Sequence, residues 1–179
     1  MSIELLANQG RSRVYGGLAS VSTSLLREMR NKELRTCFSR FDEADFRLEY
    51  VNSIRGIDFI NDAAARNVNA TWYSLQRMEG GIVWIAFGGD DTTDYARLQS
   101  VALRKVRMLI CVGADNSALH TAFRTSVPII RDAVNIASAV HQACYCGLDG
   151  VKVLFSPATR IGLDDESAGL IFRHEVNEL

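Results

Sequence analysis

Six consecutive apolar residues, Ile82-Val83-Trp84-Ile85-Ala86-Phe87, followed by Gly88-Gly89, constrain this chain more than any other stretch. A strand apolar on both faces must be covered on both, which is the condition of a parallel strand flanked by helices. The pattern recurs in Met108-Leu109-Ile110-Cys111-Val112, ended by Gly113, and in Val151-Lys152-Val153-Leu154-Phe155, ended by Ser156-Pro157. Ile57, Phe59 and Ile60 form a shorter strand between Gly56 and the turn-prone pair Asn61-Asp62. Val127-Pro128-Ile129-Ile130 is a further short strand, its proline marking an edge or a strand start. Phe46-Arg47-Leu48-Glu49-Tyr50-Val51 alternates apolar with polar, as a half-exposed strand does. It forms either a hairpin with 57–60 or an edge strand.

Helix-length segments fall between these strands. Asn67 caps a helix whose apolar face is expected to run through Trp72, Leu75 and Met78. Further helices are expected over about 94–104, 115–124, 132–146 and 165–178. Strands alternating with helices of this length give a mostly parallel sheet with right-handed crossovers. The expected fold is therefore α/β, a Rossmann-like three-layer sandwich: a mostly parallel six-stranded sheet with helices on both faces. Residues 11–29 and 32–38 carry helical spacing without strands between them, and are expected to form a leading helical appendage.

The 179 residues and a net charge of −1 fit one soluble domain with an appendage, and argue against nucleic-acid or membrane-surface binding. Glu4 interrupts the only short apolar run near the start, and the arginines begin after it, at Arg11, unlike a secretory signal. A cytoplasmic location is expected. Cys37, Cys111, Cys144 and Cys146 show no Cys-x-x-Cys spacing and are read as free thiols. His141 and Cys144 lie three apart on one helix face, but no second ligand pair accompanies them as a metal site requires.

The ends of the strands collect the polar residues. Asn61-Asp62, Gly88-Gly89-Asp90-Asp91, Gly113-Ala114-Asp115 and Ser156-Pro157-Ala158-Thr159-Arg160 fall on one rim, where open α/β sheets bind ligands. Helix starts favour Asp, Asn, Ser and Thr in any such sheet, so the residue types alone leave capping and binding both open. Asp90, Asp91 and Asp94 are either oxygen ligands for Mg²⁺ or a solvated capping cluster. No Gly-x-x-x-x-Gly-Lys-Ser/Thr, Gly-x-Gly-x-x-Gly or Gly-x-Ser-x-Gly pattern occurs. Autonomous nucleotide hydrolysis is not expected, and His120, His141 and His174 fall on expected helices.

Arg47-Leu48-Glu49-Tyr50-Val51, Gly56-Ile57-Asp58-Phe59-Ile60-Asn61-Asp62 and Asn67-Val68-Asn69-Ala70-Thr71-Trp72-Tyr73-Ser74-Leu75 together resemble the start of the C-terminal domain of Mur ligases, nearest the D-glutamate-adding branch. Gly88-Gly89-Asp90-Asp91, Asp94-Tyr95, Ile110-Cys111-Val112-Gly113 and Leu154-Phe155-Ser156-Pro157-Ala158 follow in the family's order. Asn8-Gln9-Gly10-Arg11 and the helix through Leu26 resemble the tail of the central ATPase domain. The resemblance thus implies a segment 1–40 from that tail and a C-terminal-like domain 41–179.

The resemblance implies an ATP-made acyl phosphate, to which this domain presents an amino acid during peptidoglycan synthesis. It places Arg47 facing ATP phosphate and Asp62 at the ribose, with Asn61 and Asn67 on the same cofactor side. Arg66, Gly88, Gly89, Asp91, Ser156 and Arg160 fall on the substrate side. It implies no catalytic residue and no metal ligand in this chain, with ATP and Mg²⁺ engaged only within a full ligase. The implied partner is the central ATPase domain or the full-length ligase, with a homodimer through the N-terminal helix as a further possibility.

The loops depart from the family pattern. Where the family writes Asn-Asp-Ser-Lys-Ala-Thr-Asn, this chain has Asn61-Asp62-Ala63-Ala64-Ala65-Arg66-Asn67. The second loop carries no lysine through Asp91-Thr92-Thr93, and the third runs Ser156-Pro157-Ala158-Thr159-Arg160-Ile161-Gly162 instead of Ser-Pro-Ala-Cys-Ala-Ser. Two readings follow: a Mur-type ligase domain with an altered amino-acid site, inactive alone, or a non-catalytic ligase-derived binding or scaffold module.

Overall fold

The computed structural model describes residues 46–88, 93–160 and 165–179. The chain divides after Glu43, so all of these belong to the unit Ala44–Leu179. The expected leading segment 1–40, with its dimerising helix, lies outside the described residues. So do Gly89, Asp90, Asp91 and Ile161.

Six strands form one sheet: β1 (Glu49–Ile54), β2 (Ile57–Asn61), β3 (Ile82–Phe87), β4 (Val106–Val112), β5 (Ile130–Ala133) and β6 (Lys152–Phe155). Their order is β1-β2-β6-β3-β4-β5. All neighbours run parallel except β1 and β2. These two form a hairpin whose two-residue turn, Arg55-Gly56, has φ values of 55° and 78°. Two consecutive positive φ values match the right-handed strand twist, and glycine takes the second at no steric cost. The hairpin and edge alternatives for the first strand are thus both realised, since β1 is also an outer strand.

The helices are α1 (Val68–Arg77), α2 (Ala96–Lys105), α3 (Ser117–Phe123), α4 (Ile136–Cys144) and α5 (Asp165–Asn177). Strand alternation divides the core in two. Val83 and Ile85 of β3 join Phe59, Ile110, Phe155, Val140 and Phe172 on the face covered by α4 and α5. Ile82, Trp84 and Ala86 join Leu75, Leu98, Leu109, Leu119 and Phe123 on the face covered by α1, α2 and α3. Trp84 is fully buried; its ring meets Phe123 edge-on at 5.2 Å and its Nε1 donates to the Ser156 carbonyl at 2.8 Å. A three-layer α/β/α sandwich with a mostly parallel sheet is the result.

Four sequence expectations shift. The first strand begins at Glu49, not Phe46, because Phe46 and Leu48 adopt φ values of 60° and 48°. That kink turns Arg47 inward and seats the Phe46 ring on Gly169, where a β-carbon would collide with it. The strand expected at 127–130 is Ile130–Ala133. Ser126 and Val127 still donate to the Phe123 carbonyl, and Pro128 has no N–H to give a ladder. The following helix consequently starts at Ile136, capped by Asn135, whose side chain accepts from Ser138 N at 2.8 Å. In α1 the buried positions are Thr71, Ser74 and Leu75, while Trp72 is 40% exposed. The polar pair faces inward because their hydroxyls serve a buried polar cluster.

That cluster centres on Asp62, which has no solvent exposure. Its Oδ1 accepts from Arg47 Nη1 at 3.1 Å and Leu48 N at 3.3 Å, and its Oδ2 from the Ser156 hydroxyl at 3.0 Å. The Thr71 and Ser156 hydroxyls lie 2.8 Å apart. Burial pushes the Asp62 carboxyl up to about 6, against the Arg47 guanidinium, the hydroxyls of Ser74 and Ser156 and the Leu48 N–H, all of which pull it down. A second polar clasp closes the other end of α1. Lys105 Nζ donates to the carbonyls of Leu75 at 3.0 Å, Gln76 at 2.6 Å and Met78 at 2.6 Å. It serves carbonyls that a helix end leaves without intrahelical donors.

Three outcomes follow for stability. Lys105→Met is expected to cost about 1–3 kcal/mol in urea denaturation, because part-buried carbonyls lose a charged donor. Asp62→Ala should cost about 3–5 kcal/mol at neutral pH by leaving Arg47 buried and unpaired. Because the Asp62 carboxyl titrates near 6 in the fold rather than at 3.8, its proton favours the folded state below pH ~4, and that contribution is lost as pH rises through 6. The stability of the parent chain relative to Asp62→Asn should therefore fall by roughly 3 kcal/mol over that window, at ~1.4 kcal/mol per pH unit. A flat difference between the two proteins would contradict this.

Candidate functional site

The C-terminal ends of β2, β3 and β6 are tied together by main-chain bonds. Asp62 N donates to the Phe155 carbonyl at 2.8 Å, Ser156 N to Ile85 at 3.1 Å, Phe87 N to Pro157 at 3.2 Å and Ala158 N to Ala65 at 3.0 Å. The loops after β2 and β6 are thereby drawn against one another, and the residues that follow them share a cleft. It has a volume of about 760 Å³ and is walled by Arg66, Asn67 and Val68 on one side and Ala158, Thr159 and Arg160 on another. Asn69, Gly88, Thr93, Asp94 and Arg97 also line it.

The residues described in its lining favour an anion. Three guanidinium side chains, those of Arg66, Arg97 and Arg160, line the same space as the N-terminus of α1. The first turn of α1 has no acidic residue. Asn67 caps it by accepting from Ala70 N at 2.9 Å, and Thr71 N reaches the Asn67 carbonyl at 3.1 Å. The two amides before these, of Val68 and Asn69, have no intrahelical acceptor, as at every helix start. Arg97 Nη1 donates to Asn69 Oδ1 at 3.2 Å, which holds it over that end. Among the described residues of the lining Asp94 is the one that is acidic, and its Oδ1 accepts from Ala96 N at 3.1 Å. This is a helix-start contact; Asp90 and Asp91, the other members of the expected cluster, lie outside the described residues.

Gly88 is required where it stands. A β-carbon there would collide with the Asp115 carbonyl oxygen and approach Asn116 Oδ1 at 3.0 Å. The missing side chain lets the end of β3 pack directly on the loop before α3.

The expected site residues separate into two groups. Arg66, Asn67, Gly88 and Arg160 are in the cleft. Arg47, Asn61, Asp62 and Ser156 are buried behind it. Asn61 Nδ2 donates to Glu49 Oε2 at 3.2 Å and to the Gly169 carbonyl at 3.1 Å. Arg47, whose side chain is 6% exposed, spends Nη1 on Asp62 and Nη2 on the Ala70 carbonyl at 3.4 Å. Its buried Nε has no hydrogen-bond partner among the described residues. Both oxygens of Asp62 are engaged inside the protein. In this arrangement Arg47, Asn61 and Asp62 are buried and Asn67 is exposed. Their contacts hold the cleft walls in position. Gly89 and Asp91 lie outside the described residues.

Arg97 is the cleft residue that sequence reasoning missed. It sits in an ordinary amphipathic helix, and nothing in the spacing of Ala96-Arg97-Leu98-Gln99 marks it. His141 packs against the Tyr145 ring at 4.7 Å and joins no group of three metal-ligating side chains among the described residues. No described helix is long and apolar enough to cross a membrane.

Comparison with known proteins adds ancestry to this geometry. No family model matches the chain. A UDP-N-acetylmuramoylalanine–D-glutamate ligase of Porphyromonas gingivalis is 34% identical over 182 residues, covering all of this chain and 40% of the relative. The enzymes of that name from Chlorobaculum parvum and Bacteroides fragilis are 34% and 35% identical, over 96% and 88% of this chain and 37% and 36% of their own lengths. Among solved structures, a MurF ligase of Thermotoga maritima in complex with ADP matches 75% of this chain and 32% of its own at 12% identity, with a TM-score of 0.48. The chain thus spans about 40% of the length of the curated relatives it matches. Along most or all of its length the chain is thus similar to enzymes named UDP-N-acetylmuramoylalanine–D-glutamate ligase.

Proposed function

We propose that this chain is the C-terminal, amino-acid-presenting domain of an ATP-dependent amide-bond ligase of the D-glutamate-adding kind, acting in peptidoglycan synthesis in the cytoplasm. The observation that carries this reading is the convergence of Arg66, Arg97 and Arg160 with the N-terminus of α1 in one cleft. D-glutamate brings two carboxylates. Each charge-assisted hydrogen bond to such a group contributes about 1.5–3 kcal/mol, and guanidinium groups bind carboxylates in a bidentate fashion. Lysine and serine are missing from the family positions, but cationic capacity is restored from other positions. The amino-acid site is altered in geometry and keeps its charge.

The chain's own part in the reaction is to hold and orient. Arg47, Asp62 and Ser156 fix the loops that carry Arg66 and Arg160, and the cleft places the anion at the sheet rim. Without a phosphate-binding loop of its own, the chain depends on a central ATPase domain for activation of the acyl group. ATP and Mg²⁺ enter only in that complete enzyme, with which this domain works as a partner.

A second reading has one observation in its favour. Arg47 and Asp62, the residues on the expected nucleotide side, are committed to each other inside the fold. A ligase-derived binding module that does no chemistry would show this arrangement and would use the cleft for an anionic partner.

The protein carrying this chain, recovered from its own cells with an antibody against it, separates the two. ATP-dependent incorporation of labelled D-glutamate into UDP-N-acetylmuramoyl-L-alanine is expected. Arg97→Glu should raise KM for D-glutamate at least tenfold, since one reversed charge-assisted contact is worth more than ~1.4 kcal/mol. Its stability should stay within about 0.5 kcal/mol of the parent, as for other exposed substitutions. Absence of incorporation would leave the binding-module reading standing.

A further inference from the structure

Strands β4 and β5 pair so that Cys111 lies opposite Asp132. Helix α3 brings a third donor to this pair. His120 Nε2 lies 3.0 Å and 3.1 Å from the two oxygens of Asp132. The Cys111 sulfur, a His120 ring nitrogen and an Asp132 oxygen all lie within 4.8 Å of one another. They come from three different elements, so the fold, and not one local motif, assembles them.

We propose that Cys111, His120 and Asp132 bind a borderline-soft divalent transition ion of the Zn²⁺ class, with water in the fourth position. The donor set matches the ion. Thiolate, imidazole and carboxylate are the three side-chain ligand types of tetrahedral zinc, at bond lengths of about 2.0–2.3 Å. Donors on such a shell are separated by ~3.3–3.8 Å, by the tetrahedral geometry of those bonds. The His120–Asp132 distance of 3.0 Å lies just below that range, and all three donors lie within 4.8 Å of one another. His120 and Asp132 have side chains 42% and 58% exposed, which gives the ion an entry path and a solvent-facing fourth position.

A fixed outer contact supports the carboxylate, as ligating groups in such sites require. Asn116 Nδ2 donates to Asp132 Oδ1 at 2.8 Å and to the carbonyls of Cys111 and Gly113, each at 3.3 Å. Gln142 Nε2 holds the Asp132 carbonyl at 2.9 Å. Charge balance points the same way. A thiolate and a carboxylate offset a divalent cation, and a bound cation reverses the effect of burial, which pushes the free Cys111 thiol up to about 12. Without an ion, Cys111 is an inert buried thiol and His120–Asp132 a surface pair. With one, β4, β5 and α3 are clipped together at the sheet edge.

The test is titration of the purified, chelator-treated full chain with Co²⁺, then with Zn²⁺. Saturation at one equivalent is expected, with the strong visible bands of tetrahedral Co²⁺, a thiolate-to-metal charge-transfer band in the near ultraviolet, and displacement by Zn²⁺. Cys111→Ser should abolish the charge-transfer band. His120→Gln, on a helix surface and therefore expected to fold, should weaken Co²⁺ binding at least tenfold with an unchanged far-ultraviolet circular dichroism spectrum. A chain with Cys37, Cys144 and Cys146 all replaced by serine should keep the band. No charge-transfer band at one equivalent, or a band and affinity indifferent to His120→Gln, would overturn the site. Either result is independent of D-glutamate incorporation, so failure here leaves the ligase reading untouched.

Discussion

The cleft stands on a buried ion pair. Arg47 and Asp62 meet at 3.1 Å with almost no solvent, and Ser156 closes the far side of the carboxylate. These three residues precede β1, follow β2 and follow β6 respectively. Through Asp62 the entry to the sheet, its second strand and its central strand share one polar centre. Desolvating two charges is costly, and a pair of this kind is weak evidence for net stability. Its value is positional. Asp62 precedes the loop that carries Arg66 and Ser156 the loop that carries Arg160, so the bond between them ties the two cleft walls together from inside.

Much of the sheet was legible from sequence for a physical reason. Ile82–Phe87 is apolar at every position because β3 must feed two cores, with Val83 and Ile85 on one side and Ile82, Trp84 and Ala86 on the other. A half-buried strand gives no such signal. β5 contains Arg131 and Asp132, so its apolar content lies mostly before the strand itself, and the expectation of 127–130 followed the hydrophobicity instead of the ladder. Trp72 misled in the same way. The inward face of α1 is partly polar because Thr71 and Ser74 serve Asp62 and Ser156, and a tertiary polar demand of this kind leaves no periodic trace.

The site divides along similar lines. The loops carrying Arg66, Gly88 and Arg160 could be placed at the rim from strand ends alone. Which of the polar residues there face outward could not. Asp62 and Asn67 are both turn-forming residues next to a short strand, yet one is wholly buried and the other is an exposed helix cap. The difference is set by the kink at Phe46 and Leu48, which delivers Arg47 to Asp62 across a separation of 15 residues. Arg97 joins the cleft only because α2 packs beside α1, and pairing between helices is not written in either helix.

The two halves of the rim meet at Gly88. On one side this glycine lines the cationic cleft; on the other it packs on the Asp115 carbonyl and Asn116 Oδ1. Asn116 in turn spends its amide nitrogen on Asp132. A continuous chain of contacts therefore runs from the arginine cleft to the cysteine–histidine–aspartate cluster, passing through a residue that cannot carry a side chain. Such contiguity is a route for coupling only if an element along it has two arrangements that both sites bias. The loop before α3 touches both ends. An ion holding Asp132 would fix Asn116 and the backbone against which Gly88 rests, so the order of that loop is where an effect of metal on anion binding would have to arise.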